Sequence, residues 1–146
     1  MHKIKRHQSA VIITLISAMF TVGVIFLLFG SDSKVNQSNL NFIRSFGWEV
    51  QEKPKQISHI TIPEEFNPVF EAYSTLEDDA GFSLSDHRGE RATRYSYRVT
   101  NHKESDTGLI MANVYVTKSG IIAGDICSLA PNGFIRAISD TTDKVE

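Results

Sequence analysis

The sequence contains a single cysteine, Cys127, in 146 residues. That excludes an internal disulfide framework and a cysteine-based zinc knuckle. It also lacks an excess of basic charge: 15 Lys and Arg stand against 17 Asp and Glu, for a formal net charge of −2. A nucleic-acid binder is normally basic, so no nucleic-acid partner is expected. There is no GxGxxG, Walker or GxSxG motif, and no HxH or HExxH spacing. No cofactor and no metal site is therefore expected. Internal repeats and low-complexity tracts are missing too. The chain does have an ordinary balance of 41 % hydrophobic and 22 % charged residues, enough for one folded domain.

That average conceals two unlike parts. From Ala10 to Phe29, 20 consecutive positions carry no charge. They are apolar apart from Thr14, Ser17, Thr21 and Gly23. At about 1.5 Å per residue, a helix of this length spans roughly 30 Å, the hydrocarbon thickness of a bilayer. Lys3, Lys5 and Arg6 precede the run, so its N-terminal side is expected in the cytoplasm and the rest of the chain outside. A cleaved signal peptide is the competing reading. It fits less well, because the run exceeds the usual apolar core of about 7–15 residues and no small-x-small cleavage site follows. A buried core helix is the third possibility. The expected layout is a cytoplasmic segment 1–9, an anchor 10–29, a linker 30–34, an extracytoplasmic domain 35–138 and a flexible tail 139–146.

All acidic residues follow position 30, with 12 basic against 17 acidic, so the outer part carries −5 and the N-terminal part +3. A helix is expected over about 34–46, capped by Ser33 and ended by Gly47. Trp48–Val50 and 57–62 read as strands. Thr61-Ile-Pro-Glu64 has a capping-box pattern, and Phe66, Val69, Phe70, Tyr73, Leu76 and Ala80 share a helical face as far as Gly81. Glu65, Glu71, Glu77 and Asp78 fall mainly off that face. Pro68 implies either a bend or a true start at Asn67. Alternating strands follow over 90–101, 110–117, 121–129 and 134–138, with Lys118-Ser119-Gly120 and Pro131-Asn132-Gly133 as turns. The fold class is α+β: two helices on an antiparallel sheet of about four to six strands, in the order αββαββββ, with the 64–80 helix covering one face.

Asp125 and Cys127 alternate in phase and share a strand face. A carboxylate inside an apolar strand is costly unless paired, and Arg94, Arg98 or Arg136 could pair with it. Cys127 would serve as a nucleophile only with a histidine or cation to lower its pKa, and nothing around His59, His87 or His102 places one there. A small buried residue is the plainer reading. Arg88, Arg91, Arg94 and Arg98 form a basic stretch, with Arg94 and Arg98 in phase. They could meet a small anionic ligand, or simply pair with the many carboxylates. Trp48, Tyr95 and Tyr97 could line a pocket, although core aromatics are commoner. The candidate ligand-binding residues are Arg94, Arg98 and Asp125. Asp125 and Cys127 are the catalytic pair under an enzyme alternative.

Phe46-Gly-Trp-Glu-Val50, Ile62-Pro-Glu-Glu-Phe66, Ala80-Gly-Phe-Ser-Leu84, Tyr95-Ser-Tyr97 and Gly124-Asp-Ile-Cys-Ser128 followed by Gly133-Phe134 occur in this order. Together they resemble a bacterial domain-of-unknown-function family, number 4830, over about residues 35–137. Pro68, and Ala123 in place of a more usual glycine, depart from that pattern. The resemblance implies small Gram-positive proteins with an N-terminal hydrophobic segment, and it supplies no activity. The functional expectation is a membrane-tethered, non-enzymatic interaction module that binds another envelope protein or a small anionic ligand. An envelope hydrolase or thiol-dependent enzyme is the alternative.

Overall fold

The computed structural model describes residues 32–145. The anchor expected at 10–29 lies outside the described residues. Among the described residues, no helix is long and apolar enough to cross a membrane.

Residues 32–45 are helical and are termed α1. Residues 32 and 33 are already in the helix, so Ser33 is not its cap, and part of the expected linker is helical. The helix ends where expected. Gly47 adopts φ +81° and donates its N–H to the Arg44 carbonyl at 2.9 Å. A side chain in that left-handed conformation would be strained, which is why glycine closes the helix.

The sheet contains β1 (Gln56–Thr61), β2 (Arg91–Arg98), β3 (Ile110–Thr117), β4 (Gly120–Ser128) and β5 (Ile135–Ala137). Its spatial order follows the sequence, and every pair is antiparallel. Trp48–Val50 is less than a strand, with Val50 making one isolated bridge to Val99. The sheet therefore has five strands.

α2 runs over Pro68–Asp79 and begins later than the capping box at Thr61–Glu64 suggests. The true cap is Asn67, whose Oδ1 accepts the Phe70 N–H at 2.9 Å. Proline at the first helical position gives up only an N–H that had no helical partner there. The buried stripe also differs from the expected one. Val69 is 80 % exposed, whereas Glu77, expected off the face, is fully buried.

Period-two alternation sends the strand residues to two cores. Tyr97, Ala112, Val114 and Ile126 pack with Leu40 and Ile43 of α1 and with Trp48, Val50 and Ile138. Trp48 is thus a core residue, and its Nε1–H donates to the Ile138 carbonyl at 2.8 Å. The opposite face carries Ala92 and Ala123, which join Ile62, Leu84, Phe66, Phe70 and Tyr73 around α2. Both faces are therefore covered, where one was expected. A bulge between Tyr115 and Val116 pairs Tyr115 with Ala123 and Val116 with Ile121. The extra residue, Ile122, joins Ala123 in the α2 core.

Residues 139–145, read from the sequence as a loose tail, fold back on the 101–103 loop. Lys103 N–H donates to the Asp143 carbonyl, Val145 N–H donates to the Asn101 carbonyl, and His102 bridges Lys144.

Candidate functional site

The polar residues of the sheet gather on the face that α2 covers. Register brings Ser96 opposite Asn113, and Asn113 opposite Asp125. In the neighbouring rows, Arg94 lies between Ser58 and Tyr115, and Met111 between Arg98 and Cys127. The four residues singled out from the sequence, Arg94, Arg98, Asp125 and Cys127, therefore share one face in adjacent rows.

Asp125 is 1 % exposed, and both its oxygens are occupied. Asn113 Nδ2 donates to Oδ1 at 2.7 Å. Tyr73 and Tyr115 donate their phenol protons to Oδ2 at 2.8 and 3.1 Å. The Asn113 amide is itself oriented, since its Oδ1 accepts from Ser96 Oγ at 2.6 Å. It also donates to Cys127 Sγ at 3.3 Å. A relay thus runs Ser96 to Asn113 to Asp125, and each bond polarises the next.

No arginine forms an ion pair with Asp125 among the described residues. Arg136 is instead 2.8 Å from Asp143, and Arg98 lies against Gly108. Arg94 acts only at longer range, favouring the Asp125 carboxylate. Its Nε is buried without a hydrogen-bond partner, as is Ser58 Oγ directly across the strand pair.

Burial governs the proton affinities. It raises the Asp125 pKa, against the opposing effect of its three donors and Arg94. It raises Tyr73 and Tyr115 too, assisted by the Asp125 charge, so both phenols stay protonated and remain donors. Burial and Asp125 together push the Cys127 thiol up, away from a reactive thiolate. The described histidines lie elsewhere. His59 contacts Thr93, His87 pairs with Glu90, and His102 stacks between Trp48 and Phe134. Among the described residues, no group of three or more His, Cys, Asp or Glu side chains could hold a metal ion.

A second carboxylate adjoins this network and was not singled out from the sequence. Glu77 Oε2 accepts the Gly124 N–H at 3.0 Å, while Oε1 is buried without a partner. Its pKa is raised to about 7, chiefly by burial and further by the neighbouring Asp125 charge. Tyr73, Asn113 and Tyr115 were also missed as partners. The available signals were the four-residue spacing of Tyr73 and Glu77 on α2, and the alternation that puts Asn113 and Tyr115 in phase on β3. Only the strand register reveals that these meet at Asp125.

No curated protein and no solved structure gives a significant match to the chain. A family sequence profile does match, over residues 42–126, which is more than half of the chain. That stretch holds both buried carboxylates together with every side chain that donates to Asp125, and over it the chain belongs to the family described as Domain of unknown function (DUF4830).

Proposed function

We propose that the protein is a single-pass, membrane-tethered binding module. Its α+β domain is displayed outside the cell membrane and engages another envelope protein or a small anionic group through Arg94 and Arg98, the partly exposed arginines of the sheet face whose Asp125 is closed inside the domain. The anchor reading rests on the 20-residue uncharged run and the basic residues before it. The observation that carries a binding role over an enzymatic one is the internal closure of the polar network. Asp125 spends both oxygens on three internal donors, and Cys127 is a buried thiol with no described histidine beside it. Arg94 is the group on that face suited to an incoming carboxylate or phosphate, because a guanidinium offers paired donors to planar oxyanions.

The enzyme alternative draws on the same two residues and has less support, since a nucleophile needs exposure and a lowered pKa.

The test is topological. The full-length chain is expressed in bacterial cells, and its membranes are washed with alkaline carbonate. The protein is expected to stay with the lipid, and protease added outside intact spheroplasts is expected to degrade the domain. Release by carbonate, or a domain protected from external protease, would overturn the tethered reading.

A further inference from the structure

α2 is seated on the sheet by hydrocarbon, through Phe70 and Tyr73, and also by buried polar groups. Its two buried residues are Ser74 and Glu77. Two hydrogen bonds tie it to β4 in opposite senses. Gly124 N–H on the strand donates to Glu77 on the helix, and Tyr73 on the helix donates to Asp125 on the strand. Tyr73 and Glu77 are one helical turn apart, and Gly124 and Asp125 are consecutive. Two buried carboxylates, one from each element, therefore sit at the same seam.

We propose that this pair of carboxylates is a pH-operated latch: α2 stays seated while the pair retains a proton, and it lifts from β4 when both are ionised, uncovering the Asn113–Asp125–Cys127 face.

The surroundings keep a proton on the pair. Burial raises Asp125, and its three hydrogen bonds and the field of Arg94 only oppose that effect. Glu77 receives one backbone N–H and the proximity of the Tyr73 phenol, and it faces the negative fields of Asp125 and of Asp78 on its own helix. Burial therefore raises both members, and the retained proton belongs to the pair. The other charged groups on elements packed against α2 are engaged elsewhere or exposed. Arg136 of β5 is held by Asp140 and Asp143, His87 of the 84–87 turn is held by Glu90, and Asp86 of that turn is exposed and negative. No described cation is therefore placed to compensate Glu77 once it ionises, and a like-charged buried pair is destabilising.

The direction follows from linkage. The seated Glu77 has its pKa raised from 4.5 to about 7. Its contribution to seating is complete below the lower value and is lost as pH rises toward the upper one. From pH 5 to 8 the opening equilibrium is expected to grow on the order of fiftyfold. The consequence for ligand access rests on the binding face proposed above, whereas the latch itself does not.

Amide hydrogen exchange on the full-length protein in detergent tests the latch. Exchange at Glu71–Asp79 is referenced to β3 and corrected for the intrinsic pH dependence. The expected result is a loss of α2 protection on the order of fiftyfold between pH 5 and 8 in the wild type, and a flat profile in Glu77→Gln. Asp125→Asn, which removes the opposing charge and keeps Glu77, is expected to weaken the pH dependence. A flat wild-type profile, or an unchanged slope in Glu77→Gln or in Asp125→Asn, overturns the proposal. No ligand is used, so failure here would count against the latch and leave the binding reading standing.

Discussion

The Tyr73 phenol and the Asp125 carboxylate, 52 residues apart in the chain, are joined by a 2.8 Å hydrogen bond that closes α2 onto β4. Asp125 collects two further internal donors, so the cost of removing it differs from the cost of removing one donor. Asp125→Ala would leave Tyr73, Tyr115 and Asn113 as unpaired buried donors, at a cost of about 3 kcal/mol or more. Tyr73→Phe leaves the carboxylate with two donors and should cost about 1 kcal/mol. Urea unfolding followed by the fluorescence of Trp48, the lone tryptophan, should rank them in that order. Equal costs would mean that the three donors do not act through Asp125.

Cys127 offers a direct reading of whether the network is open. The residue is 9 % exposed, and its thiol pKa is raised by burial and by Asp125. Below the latch transition, at pH 5.5, it should resist a disulfide-exchange reagent until denaturant is added. A pyridyl disulfide suits this measurement, because it stays reactive at that pH. Rapid labelling of the native protein would place the thiol in an open cleft and revive the enzyme reading.

Much of the architecture was readable because the last third of the chain alternates cleanly. Tyr95, Tyr97 and Val99 on one side, and Arg94, Ser96 and Arg98 on the other, fix a strand and its two faces without knowledge of the partner strands. The start of α2 was not readable with the same certainty. Thr61-Ile-Pro-Glu64 and Asn67-Pro68 each carry a helix-start signal, and local chemistry alone does not choose between them. Trp48–Val50 has strand composition but only one bridge, because bends within Gln51–Lys55 interrupt the pairing with β2 before it resumes in β1. The shared face of Asp125 and Cys127 followed from period two. Their partners did not, since Tyr73 reaches Asp125 only through tertiary packing. Glu77 was hidden for a different reason: a glutamate on a helix is ordinarily solvated, and nothing local marks the exception.

Two glycines should differ in their tolerance of a methyl group. A Cβ on Gly124 would lie 2.8 Å from Phe42 Cε1, the edge of a half-buried ring on α1 that can shift. A Cβ on Gly133 would meet the Ser128 carbonyl oxygen at a contact far inside van der Waals distance, and that atom is backbone that cannot rotate away. Gly124→Ala should therefore destabilise by about 1–3 kcal/mol, the usual cost of overpacking. Gly133→Ala should cost more, because the β4–β5 turn must deform. Denaturation midpoints of the two variants check the order, and a milder Gly133 effect would show that this turn is not the rigid element.

His102 should impose a pH slope opposite to that of Glu77. It is buried between the Trp48 and Phe134 rings, with centroids 6.1 and 5.7 Å away. Its Nδ1 accepts the Glu104 N–H at 3.0 Å, which places the proton of the neutral ring on Nε2. Burial lowers its pKa from 6.5, with Asp143 only partly offsetting that effect. A histidine depressed in this way contributes stability that is present above pH 6.5 and is lost as pH falls below it, because the unfolded chain takes up the proton first. Glu77 works the other way, losing its contribution as pH rises from 4.5 toward 7. Glu77→Gln removes one slope that opposes the histidine, so between pH 5 and 7 its urea midpoint should change more in the upward direction than that of the wild type. Nitrogen NMR of the ring should show the Nε2–H form predominating at pH 6.5, where a free imidazole is half protonated. A ring already protonated at pH 6.5 would remove His102 as the source of the slope.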